Sequence, residues 1–263
     1  MTHSSKKIGS VQRAIDILNL FDSQTPELGM TEIARALKLH KSTSASLVYT
    51  LEANGFLQQD PETKKFRLGL KLVERAFAML DQVEIRRMAY PYLQALRDEW
   101  NETVNLAVLD GTDVVYIERM LGTKALGMRS EVGRRASAHS TALGKAILCC
   151  LPQKEVENYV SKYGLPRITT KTITSRKKFL SDIAKARECG YAIDDEENEI
   201  GGRCIAAPIF DHTGKPIAAV SVSSPLSRLP MSEVAKVGLR VCETAKAISR
   251  SLGYLQNAYG HKS

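Results

Sequence analysis

The chain has 263 residues, of which 43% are hydrophobic and 6% aromatic, and a formal net charge of +8. This length suits two domains or one large one, with enough apolar residues for ordinary cores. The low aromatic content argues against a base-stacking platform for single strands, and the lack of an 18-residue apolar run excludes a membrane-spanning helix.

The start, MTHSSKKIGS, lacks the apolar middle of a signal peptide, so the expected location is the cytoplasm. VQRAIDILNLF then places Val11, Ala14, Ile15, Leu18 and Phe21 at spacings of three and four, which predicts an amphipathic helix. DSQTPELG breaks it. In MTEIARALKL, Thr31 is the expected N-cap, and Ile33, Ala34 and Leu37 form the apolar side.

HKSTSASLVYTLEANG supplies the next helix, expected over residues 43–53 with Ser42 as N-cap. Leu47, Val48 and Leu51, with the small Ser44, form its inner side. Ser42, Thr43, Ala45, Ser46 and Tyr49 face outward. FLQQDPETKKFRL alternates around Asp60-Pro61, as in a β-hairpin. Two helices joined by about four residues, with a helix before and a hairpin after, follow the winged helix-turn-helix plan. The expected DNA contacts are Thr31, Lys41, Ser42, Thr43, Ala45, Ser46, Tyr49 and Thr50, with Lys64 and Lys65 on the wing.

Residues 70–100 read as helical. One stripe comprises Leu70, Val73, Phe77 and Leu80; another comprises Met88, Tyr92, Leu96 and Trp100, and Pro91 is expected to kink or restart the helix. This connector either packs on its own domain or pairs with a partner chain. TVNLAVLD and TDVVYIERM predict a strand hairpin about Gly111, and KALGMRS a third strand. STALGKAILCCL and PQKEVENYVSKY predict two helices, and SRKKFLSDIAKARECG a third that Gly190 closes. CIAAPIF and PIAAVSVSS are apolar strands around the turn DHTG, and SEVAKVGLRVCETAKAISRSLG is a long final helix. The fold class is therefore α+β, with 8–70 a winged helix-turn-helix domain, 71–85 a helical linker and 86–257 a second α+β domain.

Charge does not single out the first domain. Residues 1–70 hold 9 Lys and Arg against 7 Asp and Glu, and residues 101–263 hold 23 against 17. The case for DNA rests on architecture. The five cysteines are odd in number and form no CxxC pair, so neither a disulfide framework nor a zinc site is expected, and no metal or cofactor is called for.

Three chemical alternatives lose ground on pattern. The serines near His40 and Lys41 have no GxSxG elbow and point in different directions on a helix. ALGKAI (142–147) resembles a phosphate loop, but Ala146 follows the lysine and no glycine stands at 139. DDEENE (194–199) lacks the spacing of a calcium loop; Asp194, which follows the apolar run, is the carboxylate expected to act as a specific acceptor. An enzyme using Cys204 with His139 as base stays open, as does a protein-interaction module. Cys204, Asp194, and Ser221 with Ser223 on one face of their strand would also suit a small polar pocket.

VQRAIDILNLF, MTEIARALKLHKST and LEANGFL, together with GRRASAHSTALGKAIL and GYAIDDEENEIGGRCIAAPIFDHTGKPIAAVSVSSP, resemble the IclR (isocitrate lyase regulator) family of transcriptional regulators over nearly the whole chain. The resemblance implies a GAF-like effector-binding domain and binding of double-stranded DNA at a palindromic operator as a homodimer or homotetramer, without a membrane. It implies repression more than activation, under control of a small organic acid or aromatic metabolite. It places the effector at Ala142, Leu143, Asp194, Cys204, Ser221 and Ser223. One residue departs from the family pattern: Ser46 stands where an arginine is common, so base reading shifts toward Lys41, Tyr49, the wing lysines or DNA shape.

Overall fold

A computed structural model describes residues 8–22, 24–81, 84–124 and 131–254. The chain divides into two compact units, residues 1–82 and 83–263. No described helix is long and apolar enough to cross a membrane.

The first unit contains α1 (Gly9–Leu18), α2 (Met30–Ala36), α3 (Lys41–Ala53), the two-stranded sheet β1 (Leu57–Gln59) and β2 (Phe66–Leu68), and α4 (Lys71–Asp81). Ile17, Phe21, Ile33, Val48, Leu57 and Phe66 form one core. Each large aliphatic side chain there contributes roughly 1.5–3 kcal/mol. The inner side of α1 runs through Ile17 to Phe21, while Val11 and Ile15, expected inside, are 55% and 47% exposed. α1 packs against α3 and buries Ile17 fully, while Ala14 and Leu18 are half-buried. Leu28 bridges to Phe66, which ties the segment before α2 to the wing. At the wing tip Asp60 Oδ1 accepts from the N–H groups of Glu62 and Thr63, and Lys64 takes a left-handed φ of 58°.

The second unit contains α5 (Glu84–Trp100), β3 (Thr103–Asp110), β4 (Asp113–Met120), β5 (Arg135–Ser137), α6 (Ala142–Leu148), α7 (Gln153–Tyr163), α8 (Arg176–Cys189), β6 (Ala192–Asp195), β7 (Gly202–Phe210), β8 (Pro216–Pro225) and α9 (Met231–Ser251). Its six described strands form one antiparallel sheet in the order β5-β4-β3-β8-β7-β6. β8 is buried along most of its length, because helices cover both faces. Ala219 belongs to the core shared with α6 and α8, whereas Val220 and Val222 alternate toward the opposite face, which α9 covers.

Several expectations are corrected here. Pro91 lies inside α5 and does not restart it; the helix begins at Glu84. The buried stripe of α5 is Ile85, Ala89, Leu93 and Leu96, so only Leu96 of the expected stripe is fully inside. Leu70 and Val73 are exposed, and the side chains of Phe77 and Leu80 lie outside those described. The expected strand KALGMRS falls almost wholly outside the described residues. β4 pairs with β3 on one side and on the other with the short β5, which sequence reading passed over.

Candidate functional site

Two surfaces of different character emerge, one in each unit. In the first, α2 and α3 are joined by a turn in which Lys38 adopts φ 53°. α3 starts at Lys41 with His40 as N-cap and no side-chain capping bond, so Ser42 is the second helical residue and not the cap. Thr31 is likewise inside α2, whose N-cap is Gly29; the Gly29 N–H donates to Glu32 Oε2 at 2.7 Å. Glycine offers the first turn only its backbone carbonyl, which accepts from the N–H groups of Glu32 and Ile33, and the Glu32 carboxylate closes the turn from the other direction.

Lys41, Ser42, Thr43, Ser46, Tyr49 and Thr50 are all exposed, Ala45 is half-buried, and Lys64 and Lys65 are exposed on the wing. Ser46 Oγ donates to Ser42 O at 3.2 Å and Thr50 Oγ1 to Ser46 O at 2.6 Å, so these hydroxyls are bound to their own helix and offer lone pairs outward. The Tyr49 ring meets Phe66 edge-on at 6.1 Å, which holds the recognition helix to the wing. Arg67, an exposed cation on β2, was not singled out by sequence; its alternation with buried Phe66 was the available signal. Ser44 is fully buried and its Oγ has no hydrogen-bond partner among the described residues.

In the second unit a small cavity of about 20 Å³ is lined by all six residues expected to hold the effector: Ala142, Leu143, Asp194, Cys204, Ser221 and Ser223. The sheet register explains the convergence. Asp194 pairs with Cys204 and Cys204 with Ser223, giving one row across three strands. Asn105 pairs with Ser221 in a neighbouring row. Asn105 Nδ2 donates to Ser221 Oγ at 3.4 Å and to Ser223 Oγ at 3.2 Å. Asn105, Tyr116, Thr141, Asn198 and Glu199 complete the lining and were missed by sequence. An amide inside the apolar run TVNLAVLD was the legible signal for Asn105. α6 is entered through Thr141, whose side chain accepts from the Gly144 N–H.

The acidic run is divided among separate tasks. Asp194 Oδ1 accepts from the N–H groups of Glu197 (2.8 Å) and Asn198 (3.2 Å) and so closes the turn. Burial pushes the Asp194 carboxyl up to about 7, against the pull of Lys145 and these backbone donors. Asp195 pairs with Arg203. Glu197 accepts from Lys145 Nζ at 2.6 Å, and Asp182 accepts from the same ammonium at 2.8 Å. Burial pulls the Lys145 ammonium down, but its two carboxylates outweigh that and raise it. The lysine of ALGKAI is thus a fully buried ion-pair centre. Gly144 before it is required by close packing, since a Cβ there would sit 2.2 Å from Ala138 O.

His139 does not line the cavity; its Nε2 bonds to Pro166 O at 2.9 Å, and burial lowers its pKa. The Cys204 thiol is pushed up by burial and by the Asp194 charge. Among the described residues no group of three or more His, Cys, Asp or Glu has the geometry to hold a metal ion.

Comparison with known proteins agrees with this division. Residues 10–61 match the IclR helix-turn-helix domain, and residues 77–250 match the bacterial transcriptional regulator IclR C-terminal domain. The chain belongs to the IclR family. It is a DNA-binding transcriptional regulator of the kind controlled by a small effector. It is 40% identical over 247 residues to the HTH-type transcriptional regulator XynR of Escherichia coli K12, covering 94% of this chain and 98% of that one. It is 31% identical to the transcriptional repressor IclR of the same strain, over 94% of this chain and 91% of that one. Among solved structures, the IclR of Thermotoga maritima is 33% identical with a TM-score of 0.79, over 94% of this chain and all of that one. An IclR homolog from Microbacterium hydrocarbonoxydans, complexed with 4-hydroxybenzoate, is 26% identical with a TM-score of 0.81, covering 93% and 99%.

Proposed function

We propose that this protein is a cytoplasmic transcriptional repressor that releases its operator on binding a small hydroxylated organic acid. Residues 8–70 form its DNA-binding domain, 71–85 its helical linker and 86–257 its effector-binding and oligomerisation domain. The observation that carries the reading is the buried polar constellation of Asn105, Asp194, Ser221 and Ser223, with the part-buried Cys204, around one cavity. Apolar residues of similar volume would pack a core at less desolvation cost, so side chains of this kind gathered on one face are suited to a ligand. The serine hydroxyls and Tyr116 supply donors for a carboxylate and acceptors for hydroxyls. Asp194, near neutrality in its titration, serves as either. A relative complexed with a hydroxy acid supports this ligand class.

The cavity as formed admits only a group of water size. A ligand of several carbons therefore displaces the rim at Asn198 and Glu199. That displacement supplies the difference between two states on which regulation depends. In the DNA-binding domain, α3 enters the major groove by its exposed hydroxyl side while Lys64, Lys65 and Arg67 on the wing meet phosphate. A closed homodimer or homotetramer reads a palindromic operator. The second unit binds without turnover: the Cys204 thiol is disfavoured as a thiolate, and His139 is committed elsewhere. Isothermal calorimetry with candidate hydroxy acids tests the pocket. Ser221→Ala with Ser223→Ala is expected to weaken effector binding and spare operator binding; unchanged effector affinity refutes the assignment.

A further inference from the structure

A second cavity, of about 400 Å³, lies where the C-terminal ends of α6 and α8 approach α9 and β7. β6 pairs with β7 only as far as Ala206, so no β6 residue covers β7 from Ala207 onward, and Ala207, Pro208 and Phe210 contribute to the wall. Four of the five cysteines of the chain, Cys149, Cys150, Cys189 and Cys242, line this one space, and the fifth belongs to the effector pocket. The rest of the wall is largely apolar, with Phe210 and Leu239 its largest hydrophobic side chains, and Arg187 and Lys246 are its two cations.

The adjacent thiols have a defined geometry. Cys149 Sγ and Cys150 Sγ are 3.9 Å apart, and both donate toward the same carbonyl, Ala146 O, at 3.2 and 3.4 Å. The two sulfurs therefore stand on one side of the end of α6. Sulfurs each bound at about 2.3 Å to one shared atom lie no more than about 4.6 Å apart, so this pair is within reach of a single soft atom once side-chain rotation draws the sulfurs slightly together. Two sulfurs are too few for a zinc site. The contact with Cys150 lowers the Cys149 thiol against the effect of burial, and the nearby Arg187 guanidinium, which donates to Cys149 O and Leu151 O, adds to it; the same contact and burial raise the Cys150 thiol.

We infer that this cavity is a second ligand site, for compact apolar thiophilic molecules, with Cys149 and Cys150 as a two-point covalent anchor. The matching chemistry is that of a trivalent organoarsenical. Two As–S bonds form and the As–O bond breaks; the oxygen leaves as water with both thiol protons, and arsenic stays trivalent. The organic group then lies against Phe210 and Leu239. The site is independent of the effector reading, yet α6 and β7 border both cavities: Ala142 and Leu143 at one end of α6, Cys149 and Cys150 at the other.

The test uses the reduced full-length protein with phenylarsine oxide, followed by intact-mass spectrometry. One adduct is expected that an excess of monothiol leaves in place and a dithiol removes. It is lost in Cys149→Ser and in Cys150→Ser, and kept in Cys189→Ser and Cys242→Ser. A synthetic peptide of residues 146–153 carries the same pair without the cavity and should bind at least about tenfold more weakly. This comparison stands even if a serine variant fails to fold. Equal affinity of peptide and protein overturns the built site; an adduct that a monothiol strips, or that survives both Cys149→Ser and Cys150→Ser, overturns the anchor.

Discussion

The hydroxyl groups of α3 and those of β8 both cluster in sequence, yet their hydrogen bonds go to different places. On α3, Ser46 and Thr50 turn back onto carbonyls of their own helix and remain in solvent. On β8, Ser221 and Ser223 are buried and share one amide from the neighbouring strand. The first set is satisfied locally, so its outer face can be exchanged at little structural cost. The second is satisfied only by tertiary structure, so a change there lowers the stability of the second unit as well as altering the site, with the fold kept. Polar groups near the cavity should therefore weigh heavily on stability, and those of α3 should weigh on DNA affinity.

The largest expected effect is at Lys145. Lys145→Ala leaves Glu197 buried without its cation and should cost about 3–5 kcal/mol in urea denaturation. Replacing Lys145 and Glu197 together by methionine should cost much less; an equal loss would show that the ion pair is not the cause. Next comes Asp194, whose pKa of about 7 stands above its ordinary 3.8. A carboxyl raised on folding holds its proton more tightly in the native state. Its contribution is complete below about pH 4 and is lost as pH rises through about 7, for an upper limit of roughly 4 kcal/mol. Asp194→Asn keeps an oxygen for the turn and should flatten the fall in stability across that interval, as read from denaturation midpoints at stepped pH.

Within the first unit the effects shrink. Ser44→Ala removes a buried hydroxyl without a partner among the described residues and should be neutral or stabilising by up to about 1 kcal/mol. A clear loss of stability would mean that the hydroxyl is bonded in solution. Ser46→Arg should leave stability almost unchanged. It should tighten operator binding and steepen the dependence of log K on log salt by about 0.9, the signature of one added phosphate contact. An unchanged slope would place position 46 away from the backbone of the DNA.

Much of this architecture was legible because helical and strand periodicities are local. The winged-helix plan followed from spacing alone, as did the hairpin of β3 and β4. The convergence of six pocket residues came from the family resemblance and from strand alternation in VSVSS. What escaped was tertiary. Nothing in VQRAIDILNLF tells which of two apolar sides meets a small core, and the choice fell on Ile17. The cap positions each failed by two residues, because Ser42 and Thr31 carry the hydroxyl of a cap, whereas His40 and Gly29 cap their helices without a side-chain bond. Asn105 was hidden inside an apolar strand. Lys145 was judged only as a failed phosphate ligand, since its partners stand 37 and 52 residues away.

Those separations have a kinetic consequence. The ammonium joins three stretches of chain that must close long loops before any of them gains from the contact, and loop closure precedes its reward. Lys145 should thus complete its ion pairs late, after the sheet and α8 have docked. A late contact acts mainly on the rate of unfolding. Its two carboxylates work as a latch on a finished domain, setting how long the native state lasts more than how quickly it is reached.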